Sequence, residues 1–279
     1  MRKVLDGLFV VLVHLLLLAG ACITVLPFLW MVLSSFKTTT EVFRYPPMLL
    51  PDQWVFTNFD RLFTEILFPK WYLNSVMVST AQTAAVLFFA SLAGFGFGKY
   101  EFKGRGVLFG ILIASMIIPF HVIVIPMFTV VSALGMLNNY ATLVLPWMAP
   151  AFGIFMMKQF MAGIPSELLD SARIDGAQEF RIYYNIVLPL LRPGLAALAI
   201  YTFLGAWNGF LWPLVVMRDM AHFTLPVGMA TLIGNMGQTK TEYGMLLGGS
   251  SLISLPVITL FVLLQRQFVA GLTLGSVKE

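Results

Sequence analysis

Few residues in this chain of 279 are equipped for covalent chemistry. The candidates are Ser250 and Ser251, which follow Gly248-Gly249, and three histidines, His14, His121 and His222. A serine beside a general base is the minimum for nucleophilic hydrolysis. In an apolar chain that combination describes an intramembrane serine protease. No spacing ties either serine to His14 or His121, and His222 falls in a segment expected outside the bilayer. A G-x-x-x-x-G-K-[ST] loop, whose backbone amides would cradle ATP phosphates, is absent. Gly94, Gly96 and Gly98 do not make a dinucleotide fingerprint, because no strand precedes them. No grouping of residue types suggests a metal site, and no array of basic and aromatic residues suggests nucleic acid.

The side chains point instead to recognition. Ser75, Ser79, Gln82 and Thr83 share one helical face at i, i+4, i+7 and i+8, just after Asn74. Polar groups are costly toward lipid, so this face is expected to look inward, to other helices or to water. His121 lies between Pro119 and Pro126, and Trp207-Asn208 opens a second polar point in an apolar run. Asn74, Ser75, Ser79, Gln82, His121, Trp207 and Asn208 are therefore the candidates for a polar solute's path. The other recognition element runs from Pro165 to Pro193. It carries four acidic and three basic residues between Glu167 and Arg192, in a protein that is 11% charged.

These residues need a membrane scaffold. The chain is 59% hydrophobic with a mean hydropathy of +0.87, which excludes a soluble globular domain. Six apolar runs reach the ~20 residues needed to cross ~30 Å of hydrocarbon: about 8–33, 72–98, 107–130, 136–157, 194–217 and 244–264. None of their cores contains an Asp, Glu, Lys or Arg. With the N-terminus inside, inner segments hold eleven of the 17 Lys and Arg, so both termini are expected to be cytoplasmic. The fold class is all-α: a single polytopic domain over 1–279 with six transmembrane helices and a cytoplasmic loop, 158–193, between helices four and five. Cys22 is the one cysteine, so no internal disulfide can form. Leu18-Ala-Gly-Ala-Cys22 resembles a lipoprotein cleavage box. The apolar run continues through Trp30 and Leu33, however, so this run is expected to be a retained span.

Local patterns refine this picture. Phe59, Leu62, Phe63, Ile66 and Leu67 predict an amphipathic helix with Asn58 as its cap. Trp71-Tyr72 is expected to be an interfacial pair. Gly94 and Gly98 fit close helix packing. Pro119 and Pro126 should interrupt the third span. In the charged loop, Ser166 is expected to cap a helix with Glu167 and Asp170 in its first turn. Leu168, Leu169 and Ala172 share one side, and Gly176 stands where a helix ends in a left-handed turn. A second helical stretch runs from about Ala177 to Val187, with Phe180, Tyr183, Tyr184 and Val187 on one face. Pro189 and Pro193 should stop it.

The helix–turn–helix resembles the cytoplasmic signature of importer permeases of the ATP-binding-cassette class: Glu-Ala-Ala, three residues, Gly, nine residues, Ile-x-Leu-Pro. The matching positions are Asp170-Ser171-Ala172, Gly176 and Ile186-x-Leu188-Pro189, with both gaps kept. Asp170 and Ser171 depart from the pattern. Asn74-Ser75, Pro119, Pro126, Ile174-Asp175-Gly176, Trp207-Asn208 and the ending Gly271-x-x-x-Gly275-x-Val-Lys278 are similar to the carbohydrate-uptake branch, closest to the smaller permease of maltose-type transporters. The resemblance implies half of a translocation path for a sugar or sugar-like solute, in a bacterial or archaeal plasma membrane. It implies a heterodimer with a homologous permease, two ATPase subunits that use ATP and Mg, and an extracytoplasmic solute-binding protein. The chain itself is then no enzyme and holds no cofactor. Asp170, Ser171, Ala172, Gly176, Ile186, Leu188 and Pro189 become the ATPase-coupling residues. The loop 218–243 would face the binding protein, and the tail from Gly275 to Lys278 the ATPase. The alternative is a self-sufficient secondary carrier or channel, but no span carries a buried carboxylate or cation, which argues against a proton-coupled carrier.

Overall fold

A computed structural model describes the backbone of residues 2–234 and 243–274, and the side chains of residues 7–232 and 243–265. Lys240, part of the loop 218–243 and the tail from Gly275 to Lys278 lie outside the described residues. Within them the chain is helical, with no strand.

Three stretches of helix are long and apolar enough to cross a bilayer as single rods: Gly7–Ser34, Phe68–Lys99 and Tyr243–Gln265. At ~1.5 Å per residue, the 32 residues of Phe68–Lys99 extend roughly 48 Å, beyond the hydrocarbon itself. Three further crossings are available only as bent pairs. These are Arg105–Ser115 with Phe120–Ala133 at 101°, Ala141–Trp147 with Ala151–Met161 at 46°, and Arg192–Trp207, which Glu179–Leu190 of the charged loop meets at 78°.

Proline chemistry explains the first two bends. Pro119 and Pro150 each stand at an N-cap with extended backbone, ψ 139°. A proline cannot donate into a preceding turn and disfavours helix in the residue before it. The third expected span therefore breaks at Pro119, whereas Pro126 is carried inside Phe120–Ala133 without ending it. The fifth expected span, 194–217, is two helices, Arg192–Trp207 and Leu211–Val216, with Asn208 at the C-cap of the first.

The chain forms two compact units, residues 1–68 with 229–255, and 69–228 with 256–279. In the first, Asn58 corrects the expectation of a cap. The helix runs Thr57–Thr64 with Phe56 at its N-cap, and buried Asn58 donates to the carbonyls of Ser35 at 2.8 Å and Lys37 at 2.9 Å. That helix stops before Ile66 and Leu67. Leu62 is its fully buried residue, while Phe63 is half exposed with its ring 5.7 Å from Phe68. Phe36 gathers the rings of Trp54, Phe56 and Phe59 within 5.4 Å. Buried Lys37 donates its ammonium to the Met48 carbonyl, and burial lowers its pKa.

In the second unit, small residues allow close packing. A Cβ on Gly94 would lie 2.5 Å from Met157 Cβ, and one on Gly98 2.7 Å from Met161 Cβ. The Phe68–Lys99 and Ala151–Met161 helices thus meet as the two glycines predicted. Trp71 departs from the interfacial expectation: it is buried, seated where a Cβ on Gly228 would fall, and its Nε1 donates to the Met220 carbonyl at 2.7 Å.

Candidate functional site

The Pro165–Pro193 segment folds as a braced corner. Its first helix is Ser166–Ile174, with Pro165 rather than Ser166 at the cap position and no side-chain cap bond. It ends in a Schellman turn: the Gly176 N–H donates to Arg173 O and the Ala177 N–H to Ala172 O, each at 3.0 Å. Gly176 has φ +79°, the left-handed conformation expected of it, which is inexpensive only without a Cβ. The chain then runs Glu179–Ile182, a π-helical stretch Tyr183–Val187, and Leu188–Leu190. Pro189 does not stop this run. It sits within its first residues' tolerance at the start of Leu188–Leu190, and the sharp bend falls between Leu190 and Arg192.

The buried face also differs from the expected one. Leu169, Ile182, Tyr183, Val187 and Leu191 pack with Phe95, Met161 and Ile164, and Ala172, Ile186 and Leu188 lie against that cluster. The π-helical turn shifts the register, so Ile182 and Tyr183 turn inward together while Phe180 and Tyr184 are left outward. Tyr183 anchors the face with its hydroxyl 2.7 Å from Ser91 Oγ.

Arg173, which no motif singled out, clamps the corner. Its Nη1 donates to Asp170 Oδ1 at 2.7 Å and its Nε to Glu179 Oε1 at 2.7 Å. Tyr100 donates its hydroxyl to the same Glu179 carboxylate. The Arg173 bond, then the Tyr100 bond, hold the Glu179 carboxyl below its ordinary pKa. Lys99 donates to the Ile164 carbonyl at the entry to the segment. Asp170 is therefore engaged within the chain, Ser171 Oγ donates to Glu167 O at 2.9 Å, and Gly176 is exposed. Among its exposed polar residues the corner also turns apolar side chains outward: Ile174 is 86% exposed, Phe180 and Tyr184 64% each, and Leu168 44%.

The candidate path residues divide. Asn74 Nδ2 donates to Ala221 O at 3.0 Å and Phe223 O at 2.9 Å, and its Oδ1 accepts from the Tyr140 hydroxyl at 2.8 Å. Ser75 Oγ accepts from the Leu225 N–H at 2.7 Å. These two tie the Phe68–Lys99 helix to the 220–225 strap. Trp207 is buried, stacked on Phe203 at 5.7 Å with Tyr72 edge-on at 5.6 Å. Asn208 donates to Leu204 O at 3.0 Å, and His121 is exposed beside the Phe120 ring. Ser79 is fully buried with an unpaired hydroxyl. Only Gln82 of the seven lines the unit's large cavity, about 710 Å³, together with Trp147, Tyr201, Phe210 and Thr224.

The serines offered for hydrolysis are occupied by their own helix. Ser250 Oγ donates to Leu246 O at 2.9 Å and Ser251 Oγ to Leu247 O at 2.8 Å. Among the described residues no group of three His, Cys, Asp or Glu is placed to hold a metal ion.

Comparison with known proteins agrees with the signature. The chain is 41% identical over 261 residues to the arabinooligosaccharides transport system permease protein AraQ of Halalkalibacterium halodurans, covering 92% of each. It is 33% identical to the lactose transport system permease protein LacG of Rhizobium radiobacter, covering 93% of each. It is 31% identical to the diacetylchitobiose uptake system permease protein NgcG of Streptomyces coelicolor, covering 97% of this chain and 90% of that one. A chain from the crystal structure of a bacterial ABC transporter involved in the import of the acidic polysaccharide alginate shares the fold, with a TM-score of 0.81 at 23% identity over 94% of this chain and 97% of that one. Residues 87–273 match the family described as binding-protein-dependent transport system inner membrane component, which displaces both the self-sufficient carrier and the protease, and the chain belongs to that family.

Proposed function

We propose that this permease subunit forms half of the path of an ATP-driven importer for a sugar, and that the Pro165–Leu191 corner is its coupling element. One observation carries the coupling role. The corner is braced from inside by the Arg173 clamp and the Tyr183 face, yet turns Leu168, Ile174, Phe180 and Tyr184 outward. Exposed apolar side chains on a rigid element are the mark of a docking surface. The partner is an ATPase subunit, one of two, and ATP and Mg belong to it.

The family supports the rest of the assembly. A homologous second permease completes the path, and an extracytoplasmic binding protein delivers the solute. Six crossings, with both termini cytoplasmic, make one domain in a bacterial or archaeal plasma membrane. The relatives named for arabinooligosaccharides, lactose and diacetylchitobiose support a sugar. Closure of the ATPases moves the corner as a rigid body, and the bends at Pro119, Pro150 and Leu191 pass that motion to the path. Asn74, Ser75, Trp207 and Asn208 act as ties and packing around the path, and Gln82 faces the solute. The test is purification through a tag on this chain. A second permease and an ATPase at one and two copies, with ATP-dependent sugar uptake after reconstitution, is the expected result. A chain that purifies alone and moves sugar without ATP would overturn the proposal.

A further inference from the structure

We infer that the cavity in the 69–228 unit is a saccharide subsite of this subunit itself, an uncharged and aromatic-walled seat for a neutral sugar ring. The inference rests on the transport reading above and adds where, and by which side chains, the solute is held. The cavity's volume of about 710 Å³ lies within the ~300–1,000 Å³ of small-molecule sites. Two aromatic pairs contribute to its wall. Phe120 meets Trp147 edge-on at 5.0 Å, and Phe152 lies 4.7 Å from Tyr201. Tyr201 is 60% exposed, so part of its ring is open to a ligand. A sugar ring presents C–H groups with partial positive charge on its faces, and these suit the negative face of an aromatic ring.

A sugar's hydroxyls require polar partners, and the wall carries Gln82, Thr202, Thr224 and the Tyr201 hydroxyl. Thr224 is 2% exposed, and its hydroxyl has no hydrogen-bond partner. Buried hydroxyls are ordinarily paired, so the unpaired one beside the cavity gains a bond if a small side-chain rotation turns it to a ligand there. Ser79 and Thr83, three residues before Gln82 and one after it on the Phe68–Lys99 helix, carry unpaired hydroxyls as well. No lining residue is charged. A carboxylate or phosphate would therefore lose its hydration with nothing to neutralise it. The seat fits a neutral saccharide and disfavours a uronate, although an alginate importer shares the fold.

The experiment uses the whole importer, purified through this chain and reconstituted with its binding protein. Arabinotriose, lactose and N,N′-diacetylchitobiose are the probes. Two rates are read: sugar uptake, and ATP hydrolysis stimulated by the loaded binding protein. Tyr201→Ala, Gln82→Leu and Thr224→Val should each lower uptake of the transported probe about tenfold, the factor of one contact worth ~1.4 kcal/mol. Stimulated ATP hydrolysis and the yield of intact complex should stay at wild-type levels, because none of these side chains belongs to the ATPase-coupling corner or to the cluster packed behind it. Wild-type uptake by the Tyr201→Ala, Gln82→Leu double variant would overturn the subsite and leave the transport reading standing. Loss of both rates together would also overturn it, by showing a structural role. Failure of the unmodified importer with all three probes would remove the transport reading, and the subsite with it.

Discussion

Gly176→Val isolates the coupling corner from everything else in the protein. Gly176 has φ +79°, and a Cβ there would meet nothing within 4 Å. The cost of a side chain is therefore conformational rather than a clash. A left-handed conformation costs an L-residue ~1–2 kcal/mol, and a β-branched residue stands at the upper end or beyond it. The equilibrium between the native turn and any alternative thus shifts by roughly 5–30-fold. The alternative is local: the two Schellman bonds open and the Ser166–Ile174 helix re-aims relative to Glu179–Leu190. Gly176 is exposed, so insertion and packing of the spans are left intact. The assay is ATP-driven sugar uptake in inverted-free proteoliposomes, normalised to inserted protein, for Gly, Asn, Ala and Val at this position. Uptake should fall in that order, since Asn tolerates the left-handed region best among residues with a side chain. Wild-type uptake by the valine variant, at equal insertion, would refute the rigid-corner account.

Three other perturbations bear on the same structure. Arg173→Ala removes the ion pairs of Asp170 and Glu179 together. These pairs are partly exposed and worth about 0.2–1 kcal/mol each, so thermal stability in detergent should change little, while the ratio of sugar moved to ATP hydrolysed should drop. The Glu179 carboxyl is held below its ordinary range by Arg173. Its contribution is fully present above the unfolded carboxylate value of about 4.3 and is lost as pH falls through the lower folded value. Tryptic cleavage at Arg173 and Arg181 in nanodiscs, brief enough to sample the native corner and divided by cleavage of an unfolded control at the same pH, should therefore be constant from pH 8 to about pH 6. A twofold rise within that window would contradict the clamp. Gly94→Val puts a side chain where Cβ alone would lie 2.5 Å from Met157 Cβ. Overpacking of this kind costs about 1–3 kcal/mol, visible as a lowered unfolding temperature, whereas Gly96→Ala, with open space around it, should be silent.

The membrane class, the close approach at Gly94 and Gly98 and the left-handed turn at Gly176 were legible in the sequence, because each follows from composition or from local backbone physics. Periodicity was less informative where the helix was irregular. The π-helical turn at Tyr183–Val187 changed which aromatic residues turned inward, and a 3.6-residue pattern cannot anticipate that. Polar residues were legible as inward-facing but not by role. Ser75 shares a face with Gln82 and Asn74 stands beside it, yet their partners at Ala221, Phe223 and Leu225 lie about 150 positions away, and no local signal reports such a tie. Asn58 was misread as a cap for the same reason: its partners are the carbonyls of Ser35 and Lys37. Arg173 could have been found, since an acid three residues before it and another six after it, across a glycine turn, is a recognisable clamp spacing.

The central claim is that the outward apolar face of the corner docks on an ATPase subunit. Cys22 is the only native cysteine, so a Cys22→Ser background accepts a single probe. Ile174→Cys, at the most exposed apolar position of the corner, should be cross-linked by a short thiol-to-amine reagent in intact membranes. The expected product contains this chain and one ATPase subunit, and its yield should change when nucleotide closes the ATPases. A probe at Leu108, exposed on the Arg105–Ser115 helix, should give no such product. Cross-linking to the ATPase from Leu108→Cys but not from Ile174→Cys would contradict the account.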